Sequence, residues 1–301
     1  MSYAFCFVML KKAAVFGSAG QLGVELVREL ASRGYAVTAW DRQQLDITDG
    51  KRVEQSLVEL DPAVVFNAVA YNQVDVAEQE PRAAYEVNAL AVCHIAVACR
   101  QIDARLVHFS TDYVFDGRAG RPYTEEDPTH PTGAYAVSKL AGELYVQAYL
   151  DSALIVRTSG VFGPGALHTA RGNFVELMLR LARAGRPIRA VEDHIGSPTF
   201  APLLAARTAD LVERKLCGVF HIGGGTAISW YDWARMIFRQ AGVDAKLTAA
   251  TERSYRTPAR RPKYSALSNS KMEGSGLEPM PPLETALERY LELRDAAGPL
   301  K

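Results

Sequence analysis

The sequence predicts an α/β protein built on a doubly wound parallel sheet. In its first half, short runs of apolar and β-branched residues alternate with amphipathic stretches. Apolar strands separated by helices are typical of a parallel sheet that helices cover on both faces. The composition agrees, because 48% of the 301 residues are hydrophobic and 23% are charged, as in ordinary soluble globular proteins.

The predicted elements alternate in a regular order. Strands are predicted over residues 13–17, 35–40, 63–67, 105–110 and 153–157, and helices over 21–32, 51–60, 81–100 and 135–149. Right-handed crossovers between such strands produce the doubly wound arrangement. Beyond residue 158, Gly and Pro interrupt the pattern, but we predict a sixth strand over 219–222 and a helix after Ser229, a suitable N-cap.

The change of pattern near residue 158 predicts two domains. We expect a dinucleotide-binding domain over 9–157 and a smaller, mainly substrate-binding domain over 158–301. The second is interleaved with the first, because segments near 188–222 return to it. Met9 is a candidate start, since the chain from there opens directly with a strand. Residues 1–8 are then expected to make little contact with the core.

The charge balance excludes one class of partner. Lys plus Arg and Asp plus Glu both number 34, so the formal net charge is zero. Proteins that bind nucleic acid carry a basic excess, and we expect no such partner. One dense basic group spans residues 253–263, with four arginines and one lysine. It fits either a contact with one anionic small molecule or a solvated loop.

The remaining composition favours a cytoplasmic protein without a metal site. The first ten residues are almost wholly apolar and the nearest lysines follow them, whereas a signal peptide carries its positive charges before its apolar stretch. No apolar segment is long enough to span a membrane. The six histidines lack metal-binding spacing. The four cysteines are Cys6, Cys93, Cys99 and Cys217. Because their flanking residues are apolar and none forms a C-x-x-C pair, we predict that their thiols are buried and reduced.

A glycine-rich turn is the strongest local motif. Gly17, Gly20 and Gly23 follow the first strand and open the first helix. In a Rossmann-like fold the first permits a tight turn, the second lets a pyrophosphate approach, and the third lets the helix pack closely. The pyrophosphate then lies at the helix N-terminus, where free N–H groups favour an anion. The spacing is G-x-x-G-x-x-G, and a turn without a ligand is the alternative.

The end of the second strand leaves the choice of cofactor open. Asp41 is placed where an acid can bind the adenosine ribose of NAD, whereas Arg42 can accept the 2′-phosphate of NADP. Asp41 also suits a simple strand-end turn. Asp46 is a candidate contact for an adenine amino group or for a local helix cap. After the third strand, the small residues of 67–71 allow the backbone to pass beside a cofactor, or simply allow helix packing.

The sequence also carries residues suited to carbonyl reduction. Tyr135 and Lys139 are four residues apart, so a helix places them on one face. A nearby ammonium stabilises a phenolate, which suits the tyrosine to donate a proton to a carbonyl oxygen. Thr111 lies at the end of the fourth strand, where a doubly wound fold binds its ligand, and can orient that carbonyl or cap a turn.

These motifs resemble the extended short-chain dehydrogenase/reductase superfamily and, within it, the dTDP-4-dehydrorhamnose reductase family. The resemblance covers nearly the whole chain. The matching segments are 17–23, 45–49, 67–78, 110–117, 135–139, 157–159, 196–199 and 261–262 with Leu267. It implies NADPH- or NADH-dependent reduction of the C4 ketone of a nucleotide-activated 6-deoxy-4-ketohexose, which in the parent case gives dTDP-L-rhamnose.

The resemblance also implies a set of site residues. The catalytic residues are Thr111, Tyr135 and Lys139. Substrate contacts are Thr111, Asp112 and Tyr135. Tyr135 and Lys139 also contact the cofactor. The other cofactor contacts are Gly17, Gly20, Gln21, Leu22, Gly23, Asp41, Asp46, Ile47, Ala70, Tyr71 and Asn72. The sequence does not determine the oligomeric state, for which a homodimer is one candidate.

Three departures from the family pattern bear on substrate identity. Gly160 stands where family members usually carry an aromatic residue that faces the sugar. His194 stands where a Gln is usual and is either a substrate contact or a polar loop residue. Asn72 and Gln73 replace smaller residues. These changes indicate a different 4-keto sugar or a diverged homologue.

Three other functions compete with reduction. Dehydration of the sugar needs a glutamate after the catalytic Thr-Asp pair, and this chain has Tyr113 there. A sugar-nucleotide epimerase uses the same Tyr/Lys pair and a cofactor that stays bound. A non-catalytic, dinucleotide-binding regulatory subunit is the third alternative, because the same fold serves as a binding module. The complete set of Thr111, Tyr135 and Lys139 favours an active reductase.

Overall fold

A computed structural model describes residues 11–169 and 172–296. The strands are β1 Lys12–Phe16, β2 Ala36–Trp40, β3 Val64–Asn67, β4 Arg105–Thr111, β5 Leu154–Thr158, β6 Ile188–Val191, β7 Ile195–Gly196, β8 Gly218–His221, β9 Ile228–Ser229 and β10 Leu247–Ala250. The centre of the fold is a six-stranded parallel sheet in the order β2-β1-β3-β4-β5-β8. Two small two-stranded sheets pair β10 with β6 and β7 with β9.

Helices connect these strands and cover the central sheet. They are α1 Gln21–Ser32, α2 Gly50–Leu60, α3 Val74–Ala77, α4 Pro81–Tyr85, α5 Ala91–Gln101, α6 Ala134–Tyr149, α7 Phe174–Arg183, α8 Ala201–Glu213, α9 Trp230–Gln240, α10 Ser270–Gly274 and α11 Leu283–Ala296. Helices α1 and α8 bury residues against one face of the sheet, and α2, α5 and α6 against the other. A third core joins α7, α9 and α11 to β6.

This architecture confirms the predicted α/β, doubly wound fold, and each of the six predicted strands is present within one residue of its expected start. The sheet order reverses between β1 and β3, because β1 pairs with both β2 and β3. Ligands of doubly wound sheets bind in the crevice at such a switch point, beyond the carboxyl ends of the strands. The division into a cofactor part and a substrate part stays a prediction.

One predicted helix differs from the structure in its interior. The continuous helix expected over residues 81–100 is divided into α4, a π-helical turn over Glu86–Leu90, and α5. A π turn inserts an extra residue and is frequent at functional sites. Here the inserted turn contains the buried Asn88, which bonds to a neighbouring loop described below. The helix after Ser229 begins as predicted, and the Ser229 hydroxyl accepts the N–H of Asp232.

The expectations for cysteine burial were only partly correct. Cys99 is buried, which raises the pKa of its thiol to about 12. Cys93 is half-buried, and Cys217 is exposed because it lies in the turn between α8 and β8. All three are free thiols. Cys6 and the expected loose extension over residues 1–8 lie outside the described residues.

Two further sequence expectations concern the core and the membrane. His108 and His221 are fully buried, as predicted, and burial lowers the pKa of His221 to about 3. Over residues 11–169 and 172–296, no helix is long and apolar enough to cross a bilayer. No cluster of three or more His, Cys, Asp or Glu suited to a metal ion occurs in the same ranges.

Candidate active site

A cleft of about 610 Å³ opens at the switch point of the sheet. It is bordered by the glycine turn, the end of β2, the loop after β3, and the start of α6. A site of this volume is within the range of small-molecule and cofactor pockets. Its predicted cofactor residues are Gly17, Gly20, Gln21, Leu22, Asp41, Asp46, Ile47, Ala70, Tyr71, Asn72, Tyr135 and Lys139.

The glycine turn is fixed mainly by the protein's own packing. Gly17 has a φ of +79°, and its N–H donates to the Trp40 carbonyl at 2.9 Å. A Cβ on Gly23 would lie 2.0 Å from the Gly17 carbonyl oxygen. Gly23 is therefore required for the approach of α1 to the turn, and it does not line the cleft. The fold itself thus accounts for the first and third glycines.

The middle glycine is less crowded than the other two. Among the residues that the structure describes, a Cβ on Gly20 would meet only the Gly17 carbonyl oxygen within 4 Å, at a tight 3.1 Å. Gly20 lines the cleft and is the N-cap of α1, which has no side-chain cap and no acidic residue in its first turn. Uncapped N–H groups at a helix N-terminus attract an anion. This cradle fits the pyrophosphate of a dinucleotide.

At the end of β2, the carboxylates are held by local bonds and one arginine extends into solvent. Asp41 Oδ1 accepts the N–H groups of Gln43 and Gln44 at 2.8 and 2.9 Å. Asp46 accepts the N–H and hydroxyl of Thr48, and these bonds lower its pKa. The Arg42 side chain is 89% exposed and lies 3.4 Å from Asp46.

These contacts bear on both alternatives left open at the end of β2. The local bonds of Asp41 correspond to its turn-forming role, and those of Asp46 to a local cap. Both carboxylates still line the cleft beside Arg42. Arg42 thus lines the cleft as a largely exposed cation next to the acidic Asp46.

The loop after β3 is held in place by a residue that the sequence did not single out. The Asn88 side chain accepts the Tyr71 N–H at 2.8 Å and donates to the Tyr71 carbonyl at 3.0 Å. Its amide nitrogen is also 3.0 Å from the Ser138 hydroxyl on α6. The buried Asn88 amide therefore joins the loop after β3 to the helix that carries Tyr135 and Lys139. Only the tertiary structure reveals this role, because no local motif marks Asn88.

Tyr135 and Lys139 line the same cleft, one turn apart on α6. The Tyr135 ring packs edge-on against Tyr113, with centroids 6.1 Å apart. Lys139 is only 2% exposed, and its Nζ donates to the Phe109 carbonyl at 2.6 Å. Burial lowers the pKa of Lys139 to about 8, against an opposing effect of the Glu143 carboxylate. The lysine is therefore still mainly an ammonium at neutral pH.

Thr111 and Asp112 lie beside this pair but not in the cleft wall. Both are buried, and the Thr111 hydroxyl is 3.2 Å from Asp112 Oδ1. Asp112 Oδ2 accepts the hydroxyls of Ser159 and Ser265 at 2.8 and 2.5 Å. Burial raises the pKa of Asp112 to about 6 despite these bonds. The roles of Thr111 and Asp112 toward substrate stay predictions.

A buried ion pair supports the ends of β4 and β5. Arg157 Nη2 lies 2.7 Å from Glu143 Oε2 on α6, and both residues are buried. The Ser110 hydroxyl also donates to Glu143. The guanidinium carbon of Arg157 is 5.2 Å from the centroid of the Phe115 ring. The ion pair connects β5 to α6, the helix that carries Tyr135 and Lys139. Sequence inspection missed it because Glu143 and Arg157 belong to different elements.

Of the positions that depart from the family pattern, Asn72 and Gln73 line the cleft, whereas Gly160 and His194 do not. Gly160 has a φ of +50°, and a Cβ there would lie 3.3 Å from Cη2 of Trp230. An aromatic ring therefore occupies the space next to the glycine. His194 is buried, its Nε2 has no partner among the described residues, and burial lowers its pKa.

Comparison with known proteins agrees with this geometry. A family model described as "RmlD substrate binding domain" matches residues 11–295. The chain is 41% identical to the dTDP-4-dehydrorhamnose reductase of Streptomyces griseus over 292 residues, which cover 94% of each chain. It is 36% identical to the spore coat polysaccharide biosynthesis protein SpsK of Bacillus subtilis, over 96% of this chain and 99% of that one.

A solved structure shows the same relationship. The dTDP-4-dehydrorhamnose reductase of Bacillus anthracis, solved in complex with NADP, is 34% identical and superposes with a TM-score of 0.90. The superposition covers 94% of this chain and 99% of that chain. The protein therefore belongs to the dTDP-4-dehydrorhamnose reductase family, as its sequence motifs predicted.

Proposed function

We propose that this protein reduces the C4 ketone of a dTDP-linked 6-deoxy-4-ketohexose with NADPH. The observation that carries the proposal is that Tyr135 and Lys139 line the same cleft as the glycine turn. A proton donor and an anion-binding helix N-terminus are thus placed around one space, as hydride transfer to a carbonyl requires. Family membership supports the same reaction, because the Streptomyces griseus and Bacillus anthracis relatives, which match over nearly the full chain, are named dTDP-4-dehydrorhamnose reductases.

The residues present fit a dinucleotide cofactor. Gly20 and the first turn of α1 would hold its pyrophosphate, and the loop at Ala70 and Tyr71, which lines the same cleft, would contact the rest of the dinucleotide. Arg42 favours NADPH over NADH, because a guanidinium binds phosphate oxygens in a bidentate manner. When bound, the cofactor supplies the hydride that reaches the C4 carbon of the sugar.

Tyr135 and Lys139 perform the proton chemistry in this proposal. The Tyr135 hydroxyl gives its proton to the ketone oxygen as the carbonyl is reduced. The Lys139 ammonium, fixed by its bond to the Phe109 carbonyl, stabilises the phenolate that results. Lys139 has three N–H donors, so two remain for the tyrosine and for ribose hydroxyls. Because Lys139 is buried, its charge acts on a neighbouring phenolate more strongly than it would in bulk water.

Thr111 and Asp112 are proposed to orient the substrate. Thr111 ends β4 beside Asp112, and its hydroxyl can donate to the ketone oxygen once it turns from the carboxylate. The Asp112 carboxylate accepts hydrogen bonds from the hydroxyls of Ser159 and Ser265. These bonds connect the end of β4 to the segment after β5 and to the segment that contains Ser265. A cytoplasmic location and a candidate homodimer stay predictions from the sequence.

The test is a turnover assay with both cofactors and several sugars. The loss of reduced nicotinamide absorbance is followed with NADPH and with NADH against dTDP- and GDP-linked 4-keto-6-deoxyhexoses. We expect oxidation with a dTDP sugar, faster with NADPH at subsaturating cofactor, and one hydride consumed per product formed. The absence of oxidation with every sugar, together with intact NADPH binding, would favour a regulatory, non-catalytic protein.

A further inference from the structure

Gln21, the first residue of α1, is held by contacts outside its own helix. Its side-chain Nε2 donates to the Val161 carbonyl at 2.8 Å, and its Oε1 accepts from Nδ2 of Asn173 at 3.0 Å. Both the donor and the acceptor of this amide therefore have partners, which fixes the side chain in one orientation. Gln21 and Val161 line the cleft, next to the N-cap residue Gly20.

The backbone of Gln21 is also packed against the segment that follows β5. A Cβ on Gly165 would lie 2.6 Å from the Gln21 carbonyl oxygen and 3.1 Å from the Gln21 Cα. The two backbones are thus in direct contact. The glycine turn, which belongs to the predicted cofactor part of the chain, therefore rests on residues of the predicted substrate part.

Asn173 is the N-cap of α7, and its side chain has two separate tasks. Its Oδ1 accepts the Glu176 N–H at 3.0 Å and so caps the helix. Its Nδ2 donates to Gln21, which is 152 residues away in the sequence, and lies 3.3 Å from the Tyr290 hydroxyl oxygen. A helix cap needs only the side-chain oxygen. The amide nitrogen is therefore the group that joins α7 to the glycine turn.

The side chain of Asn173 is in turn supported by the last helix, α11. Tyr290 is fully buried, its hydroxyl donates to Glu176 Oε1 at 2.7 Å, and its ring packs edge-on against Phe162 with centroids 5.8 Å apart. Arg294 Nε donates to the same carboxylate oxygen at 2.7 Å. Asn173 is therefore held between two helices by groups that are themselves buried.

We propose that Asn173 is a positioning residue for the cofactor, because it holds Gln21 and with it the first turn of α1. The inference rests on the proposed function, which assigns the cofactor's pyrophosphate to that turn. A turn that is already fixed in its binding conformation loses little conformational entropy when a ligand binds, so its affinity for the ligand is higher. Through Asn173, helices α7 and α11 thus contribute to binding at a site that they do not line.

Asn173→Ser tests this role, because serine is also a good N-cap but is too short to reach Gln21. In calorimetric titrations the variant should bind NADPH about three- to tenfold more weakly, the loss expected from one neutral hydrogen bond. Binding of adenosine 2′-phosphate, which carries the adenosine end without the pyrophosphate, should be unchanged. Turnover at saturating NADPH should also equal that of the wild type, so that the KM for NADPH changes and kcat does not.

The double variant Gln21→Met/Asn173→Ser shows whether the effect is transmitted by Gln21. Methionine has a similar length to glutamine but lacks the amide that bonds to Asn173. Asn173→Ser should therefore weaken NADPH binding much less when residue 21 is already methionine than it does in the wild type. An equal loss with and without the Gln21 amide would overturn the proposal, as would wild-type NADPH affinity in Asn173→Ser.

Asn269→Ser is the matched control. Asn269 is also an N-cap residue, that of α10, and its half-buried amide joins two segments by accepting from the Gly223 N–H and donating to the Gly223 carbonyl. It does not line the cleft, and its replacement should leave NADPH affinity unchanged. A failure of the proposed reaction appears separately, as absent turnover in a wild-type protein that still binds NADPH.

Discussion

Lys139 is predicted to destabilise the unliganded protein at neutral pH, and replacing it by methionine tests this. Its ammonium is buried, with one hydrogen bond to the Phe109 carbonyl, and burial lowers its pKa to about 8 from 10.5. Each pKa unit corresponds to about 1.4 kcal/mol, so holding the charged lysine costs about 3 kcal/mol at pH 7. The Lys139→Met side chain has similar length and carries no charge to desolvate.

The sign of the pH dependence follows from the direction of the shift. Between pH 8 and 10.5 the unfolded chain holds a proton on this lysine that the folded chain has released, so wild-type stability rises with pH in that window. Relative to the methionine variant, the wild type should gain about 2 kcal/mol in free energy of unfolding between pH 7 and 9.5. The lost bond to Phe109 adds a constant offset that does not change with pH.

Urea unfolding of both proteins at several pH values, without cofactor, measures this gain. Lys271→Met is the matched control, because Lys271 also donates to a backbone carbonyl, that of Val219, at 2.6 Å, but is exposed. Its stability difference from wild type should stay nearly constant over the same range. A stability difference between wild type and Lys139→Met that is equally flat would refute the reasoning that burial depresses the pKa of this lysine.

Three further predictions concern the site and its support. Tyr135→Phe should abolish sugar-dependent NADPH oxidation and leave the NADPH dissociation constant within about twofold, because only the transferable proton is lost; substantial remaining turnover would contradict the assigned proton donor. Arg42→Ala should raise the KM for NADPH about tenfold and leave that for NADH unchanged, since a charge-assisted phosphate contact is removed; equal effects on both cofactors would argue against this role. Gly142→Ala should lower the free energy of unfolding in urea by about 1–3 kcal/mol, because the added Cβ would lie 2.2 Å from the Asn88 carbonyl oxygen; an unchanged or higher stability would show that α6 shifts freely.

Local pattern was sufficient to predict the fold, and together with the family resemblance it indicated many residues that line the cleft, although Gly23, Thr111 and Asp112 do not line it. Buried parallel strands are continuous apolar runs, so their ends could be placed closely, and parallel topology then brings their carboxyl ends to one edge. The positions of Tyr135 and Lys139 follow from helical periodicity alone. These features depend on residues close together in the chain, where sequence carries direct information.

The parts that could not be predicted depend on contacts between distant elements. Asn88 acts through the loop at Tyr71, which lies 17 residues away, and nothing near it in sequence marks the π turn. The exposure of Cys217 likewise depends on where α8 ends against the sheet. The local bonds of Asp41 show a further difficulty, since a carboxylate at a strand end suits a turn as well as a ribose.

The buried pair of Arg157 and Glu143 restricts how this protein can evolve. Removing one partner of a buried ion pair leaves the other charge unpaired and typically costs about 3–5 kcal/mol, a large share of the stability of a domain. Replacing both by well-packed apolar residues is much less costly. A variant with a single substitution at either position is therefore expected to be much less stable. The two residues are expected to be exchanged together or retained together.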